Sequence, residues 1–413
     1  MTYAFATTPA DPMAVPLEDN PRLRDDYQEV FEKRESEDAF KACVRQLEEH
    51  SEWLNPDDIA TRDLRVEALP TPMEMGEVMS RYKLDYAACE DTCGDNGTKL
   101  MVHQTWNGET YRTTCLRACG MNTLYESAKL NGSALGRMTP GNLAATLNYG
   151  LDVASGNSRI LIRDGKISAL HKAGYEIMPQ HTLVDIVTNM ADTRFGGSVF
   201  VEGSVSHDYT EGVWVMPGAR GRLLKLYQKA LGEHESALDI EDFWPGVQLC
   251  TSDTGYCAAR LIPVFVKPNR TKIRFVDGVR VKHDRTDDEK SCVELFREEA
   301  DGIWARFEAS LEKVAELASM ELQHPENAVI SLCKRFGIPK GYGEEARSAV
   351  EEQRLYTGKP VTAHDVYCHM SEIVSAAKNR GASRSTINKL SDDVARVLNV
   401  DWYDHDVGGT ISW

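Results

Sequence analysis

Apolar positions along the first third of the chain recur at two different periods. Tyr27, Val30, Phe31, Phe40, Val44 and Leu47 fall at helical spacing among charged residues. They predict a helix over 26–54, ended by Asn55-Pro56-Asp57-Asp58. Pro70-Thr71-Pro72 marks the next break. Thr71 is placed to cap a helix through Met73, Val78 and Met79, with Pro72 at its first position. Beyond it the period shortens to two. Residues 98–117 alternate around Asn107-Gly108, the dipeptide a tight hairpin favours because both turn residues need positive φ.

The middle of the chain keeps this strand period. Residues 158–175, SRILIRDGKISALHKAGY, alternate on both sides of Asp164-Gly165 and form the clearest hairpin. A short helix over 181–190 follows, then a pair of strands over 197–216 and a helix over 222–231. Residues 247–267 and 271–282 supply three or four more strands, with Asp277-Gly278 read as another hairpin turn. From Lys290 the helical period returns. Val293, Phe296, Ile303, Phe307, Leu311 and Val314 line one long helix that His324-Pro325 stops. Further helices are expected over 328–336, 344–355, 364–378 and 385–397.

These elements describe an α+β fold: an antiparallel, hairpin-rich central domain with packed helices and a helical C-terminal bundle. Four parts are expected. They are a flexible N-terminal arm over 1–25, an N-terminal helical segment over 26–66, an α+β core over 67–285 and a helical region over 286–413.

Composition narrows the function. No window holds the roughly 18 apolar residues of a membrane span. The first residues lack a basic start followed by an apolar run, so a cytoplasmic location without a signal peptide is expected. Ten scattered cysteines do not resemble a disulfide scaffold. The net charge of −17 argues against a sequence-independent nucleic-acid coat, but it is unevenly distributed. Residues 1–158 hold 15 basic and 26 acidic side chains, 159–285 hold 17 and 15, and 286–413 hold 15 and 23. Any polyanion contact therefore belongs in the middle.

The basic positions there are Arg260, Lys267, Arg270, Lys272, Arg274, Arg280, Lys282 and Arg285. Alternation sends Lys272 and Arg274 to one face and Ile273 and Phe275 to the other, and Arg280 and Lys282 oppose Val279 and Val281 in the same way. Such a strand pair offers phosphates a cationic surface backed by an apolar one. Arg159, Arg163 and Lys166 on the Asp164-Gly165 hairpin are placed to extend it, and Tyr256 and Phe265 are the nearest aromatics for base stacking. The competing reading is a solvated strand edge whose charges guard against aggregation.

Two other constellations bear on chemistry. Cys89 and Cys93, with Cys115 and Cys119, flank the Asn107-Gly108 hairpin and are either a structural zinc clip or buried thiols. His364 and Cys368 lie one helical turn apart, and Tyr403-Asp404-His405-Asp406 is rich in metal-type ligands, though no third partner stands at a recognisable spacing. No nucleophile elbow, phosphate-binding loop or dinucleotide fingerprint occurs. A non-enzymatic protein is the expectation, with no cofactor beyond structural zinc.

The segment Ile160 to Leu170 with Tyr175, then Leu183-Val184-Asp185, Thr251-Ser252-Asp253-Thr254-Gly255-Tyr256 and the helix 363–376 resemble the phage- and plasmid-like family labelled domain of unknown function 932. Where that family usually shows Cys-x-Asn-Gly, this chain has Val266-Lys267-Pro268-Asn269-Arg270. The resemblance implies a mobile-element origin, and so the host cytoplasm, and brings no catalytic residues. Two functions follow as expectations. One is single-stranded DNA binding or annealing, as in recombination, by a homo-oligomer. The other is a structural or anti-defence factor that engages a host protein through its acidic ends.

Overall fold

The computed structural model describes residues 27–32, 34–69, 75–94, 97–232, 240–284 and 290–413. The expected arm over 1–25, the Thr71 cap and Arg285 lie outside them. The chain begins with β1 (Gln28–Phe31), α1 (Glu37–Glu49), β2 (Ser51–Leu54), β3 (Leu64–Ala68), α2 (Met75–Tyr82) and α3 (Tyr86–Cys93). It continues through β4 (Leu100–Trp106), β5 (Glu109–Leu116), α4 (Met121–Ser127), α5 (Pro140–Asp152), β6 (Ser158–Arg163) and β7 (Lys166–Lys172). Next come α6 (Gln180–Phe195), β8 (Val199–Ser206), β9 (Thr210–Val215), α7 (Pro217–Leu231), β10 (Trp244–Thr251), β11 (Ala259–Val266), β12 (Lys272–Ile273) and β13 (Val279–Val281). The C-terminal third holds α8 (Cys292–Asp301), α9 (Ile303–Ala318), α10 (Pro325–Phe336), α11 (Lys340–Thr357), α12 (Ala363–Asn379) and α13 (Arg384–Arg396). None of the described helices is long and apolar enough to cross a membrane.

Two sheets organise the α+β fold. The first has six strands in the order β2-β6-β7-β5-β4-β3, antiparallel except where β5 runs parallel to β7. The second has seven, in the order β1-β8-β9-β10-β11, with β12 and β13 both on the far side of β11. The Asn107-Gly108 and Asp164-Gly165 turns close hairpins as expected. All four residues have positive φ, between 47° and 82°, the pair geometry that twists with the flanking strands.

One face of the second sheet carries the main core. Trp214 meets Phe40 of α1 edge-on with ring centroids 5.9 Å apart, and Phe265 meets Tyr227 of α7 at 4.9 Å and Phe307 of α9 at 6.0 Å. The C-terminal helices continue this same core through Phe296, Val314, Leu332 and Val366. They are therefore anchored to the sheet by shared apolar burial. The first sheet has a smaller core of its own, in which Val102, Leu116, Ile160 and Ile162 meet Leu143 and Leu147 of α5.

Three local expectations change. The helix read over 26–54 shrinks to α1, because Tyr27 and Phe31 satisfy the strand period as well as the helical one; β1 and β2 flank it and enter different sheets. The long C-terminal helix breaks at Gly302 into α8 and α9. Asp277-Gly278 is no hairpin turn. β12 and β13 do not pair with each other but lie end to end along β11, and a Cβ at Gly278 would sit 2.4 Å from the Leu261 carbonyl oxygen.

The sheets are joined by a buried polar seam. Arg163, at the end of β6 and 1% exposed, donates from Nη2 to Asp253 Oδ2 at 2.6 Å, from Nε to Ser51 Oγ at 2.8 Å, and to the His207 carbonyl. Asp253 Oδ2 also accepts from Gln180 Nε2 at 2.7 Å, and its carbonyl accepts from His171 Nε2 at 2.7 Å. His171, Tyr175 and His283 then stack at 3.7 and 4.8 Å, with Trp53 beyond Tyr175 at 5.7 Å. Burial, opposed only in part by the Asp253 carbonyl, pushes His171 down to about 4, so this ring is neutral near pH 7. Removing one partner of a buried ion pair typically costs ~3–5 kcal/mol, because the other charge is left uncompensated. Asp253→Ala is therefore expected to lower the unfolding free energy from urea denaturation by an amount in that range, and an unchanged free energy would show that the seam does not depend on the pair.

Candidate nucleic-acid interface

The alternation expected at 272–275 and 279–282 is present. Ile273 and Phe275 are buried in the core and Lys272 and Arg274 point to the opposite, back face of the second sheet. Val279 and Val281 are likewise buried, while Arg280 and Lys282 are exposed. α12 and α13 lie over part of this back face. Between them and the strands runs a groove of about 570 Å³, lined by residues from β1, β8 to β12, α12 and α13.

Most of the cations at the groove already have anions. Lys272 Nζ lies 2.8 Å from Glu202 Oε1 and 3.0 Å from Glu211 Oε1. Lys378 Nζ reaches Glu202 Oε2 at 2.8 Å, and Gln248 donates to Glu211 at 2.8 Å. Burial alone would push Glu202 up, but Lys272 and Lys378 overcome it and hold the carboxyl at about 2. Lys272 shows the reciprocal effect: burial would lower its pKa, but Glu211 and Glu202 raise it well above the usual lysine range. Arg274 donates to the Ser391 carbonyl at 2.7 Å and lies 3.4 Å from Asp392 Oδ1, which also sits 3.6 Å from Arg260. Lys267 is paired with Glu372, and Arg270 lies 3.8 Å from Glu32.

Arg280 and Lys282 differ. Both are exposed and alternate with the buried valines of edge strand β13, Lys282 directly after its last residue, and neither has an ion pair among the described residues. Arg280 stands opposite Arg260 in the β11–β13 register. Tyr256, 39% exposed, lies at the same edge, where Asn388 of α13 reaches its hydroxyl at 3.2 Å.

The remaining candidates are placed elsewhere. Arg159, Arg163 and Lys166 belong to the first sheet and do not extend the cationic back face. Arg163 is consumed by the seam, and Lys166, 1% exposed, lies 3.6 Å from Asp91 of α3. Arg163 and Lys166, opposite each other across the Asp164-Gly165 hairpin, are both buried, Arg163 in the seam and Lys166 beside α3, while Arg159 is half-buried.

The four cysteines of the expected clip are not gathered at one point. Cys89 and Cys115 approach to 3.7 Å between sulfurs, but Cys119 turns to the Ser168 carbonyl at 3.5 Å. No group of three or more His, Cys, Asp or Glu suited to a metal occurs among the described residues. His364 sits 3.6 Å from Cys368 Sγ and 2.6 Å from the Tyr227 hydroxyl, inside the core. His405 instead contacts Ser331 and Arg335.

The carboxylates that answer the basic face were not identified from the sequence. Glu202 and Glu211 stand at outward positions of β8 and β9 and were visible as charges in apolar strands. Glu372 and Asp392 come from helices more than 100 residues away, and no local pattern connects them to their partners.

No family model, no curated protein and no solved structure matches this chain.

Glu202 has a folded pKa below its ordinary 4.5, so its stabilising contribution is complete above 4.5 and is lost as pH falls toward about 2. Glu202→Gln is expected to flatten the acid limb of a melting-temperature series across that window. An acid limb identical to the parent's would show that the ion quartet contributes nothing there.

Proposed function

We propose that this chain is a non-enzymatic nucleic-acid-handling protein of a phage or plasmid that binds single-stranded DNA along the β13 edge of the second sheet. The observation that carries the reading is the pair Arg280 and Lys282, exposed at an edge strand without ion-pair partners among the described residues. Exposed cations at a strand edge suit backbone phosphates, because releasing condensed counterions from the nucleic acid favours binding. Arg260, opposite Arg280, and Tyr256 extend the track, the tyrosine as a stacking surface. Lys272 and Lys378 add little direct affinity, since a phosphate would have to displace Glu202 and Glu211. Assembly of several copies on one strand, as annealing requires, belongs to the same proposal.

A second reading has its own observation. The end of α11 exposes Leu355 and Tyr356, at 73% and 88%, after the acidic pair Glu351-Glu352. An acidic surface with apolar anchors suits a basic host protein, as an anti-defence or assembly factor would.

Fluorescence anisotropy with a labelled oligothymidine across a salt series separates the two. The double variant Arg280→Glu/Lys282→Glu is expected to weaken binding and to reduce the log–log salt slope by about 0.7 for each phosphate it no longer neutralises. Asp392→Asn, which frees Arg260 and Arg274, is expected to strengthen binding. Absence of parent binding at low salt, with a basic host protein held through Leu355 and Tyr356, would replace the first reading with the second.

A further inference from the structure

The groove and the edge beside it have opposite electrostatic characters, and the contrast assigns them different ligands. The edge carries the cations Arg280 and Lys282, which have no ion-pair partner among the described residues. The groove floor carries as much charge, but Glu202, Glu211, Lys272 and Lys378 satisfy one another there at 2.8–3.0 Å. An anion entering would have to break these pairs at the cost of leaving a carboxylate uncompensated in a partly dry site. A neutral ligand with hydrogen-bonding edges meets no such penalty.

We infer that the groove is a nucleobase site: it receives an unpaired base of a strand whose phosphates lie on the β13 edge, and so rests on the strand-binding reading above. Its volume of about 570 Å³ is in the range of small-molecule sites, which pair apolar walls with a few polar groups. The walls here are Val264 of β11, Val374 of α12 and Ile387 and Val394 of α13, which suit the flat faces of a heterocycle. Carboxamides stand around them: Gln28 of β1, Gln248 of β10, Asn269 after β11 and Asn379 at the end of α12. Such groups present both a donor and an acceptor, as the edge of a base requires. The side chains of Gln28 and Asn379 have no hydrogen bond to other described residues and are available to a ligand. A base must leave its partner to present that edge, so the groove selects single strands over duplex.

The test has two independent arms. Saturation-transfer NMR with free thymidine and adenosine reports the groove without any phosphate. Anisotropy then compares oligothymidine with an abasic deoxyribose-phosphate strand of equal length and charge. Nucleoside signals are expected with the parent and are expected to vanish in Val374→Trp, whose ring fills the groove. Oligothymidine is expected to bind about tenfold or more tightly than the abasic strand. Val374→Trp should erase that difference while leaving the salt slope unchanged. Should Val374→Trp fail to fold, Asn379→Ala on the exposed end of α12 serves instead, with weakened nucleoside signals expected. No nucleoside signal, together with equal affinity for the two strands, overturns the base site and leaves the edge standing. Nucleoside signals without binding of either strand would overturn the edge reading and leave the base site standing.

Discussion

Arg163 is a full positive charge held out of water where two sheets meet, and the surrounding fold is arranged to compensate it. Its guanidinium reaches Asp253 beyond β10, Ser51 of β2 and the His207 carbonyl between β8 and β9. Asp253 in turn holds Gln180 at the start of α6 and His171 of β7. Desolvating a guanidinium is costly, and only a near-complete set of acceptors offsets it. Such a set exists only when both sheets are formed and docked. The seam therefore fixes the relative placement of the sheets more tightly than apolar contact would, since apolar contact is tolerant of sliding.

The second sheet applies the same electrostatic rule twice, with different results. On the back face, lysines at the groove are closed off by glutamates, and Asp392 of α13 stands between Arg260 and Arg274. At β13 two cations stand open to solvent with no ion-pair partner among the described residues. A count of basic residues cannot separate these cases. What matters is whether a carboxylate is within reach, and that is a property of tertiary structure.

The features that could be read from the chain were those encoded within a few residues. Asp164-Gly165 announces its own turn, and Lys272-Ile273-Arg274-Phe275 announces its own faces, because strand alternation needs no partner. The α+β arrangement and the helical C-terminal third follow from the same local periods. The errors arose where distant segments decide. Asp277-Gly278 carries a hairpin signal, yet β11 captures both flanking strands. Arg163 and Lys166 alternate as surface residues would, yet both are buried, Arg163 against the other sheet and Lys166 beside α3. Tyr27 and Phe31 fit either period, and it is the pairing of β1 with β8 that decides for a strand.

The first described strand belongs to the sheet completed last. Gln28 of β1 pairs with Ser206 of β8, while β2, only about twenty residues further on, joins the first sheet. Asp253 likewise follows Arg163 by 90 residues. A ribosome adding roughly 5–20 residues each second leaves that arginine without its carboxylate for about 5–20 s. During this interval the nascent first sheet presents an uncompensated charge at its future seam, and until β8 is made β1 lacks the strand it pairs with. Long-range pairings of this kind slow folding and prolong the exposure of open strand edges. The chain thus depends on its own downstream half for protection while it is being made.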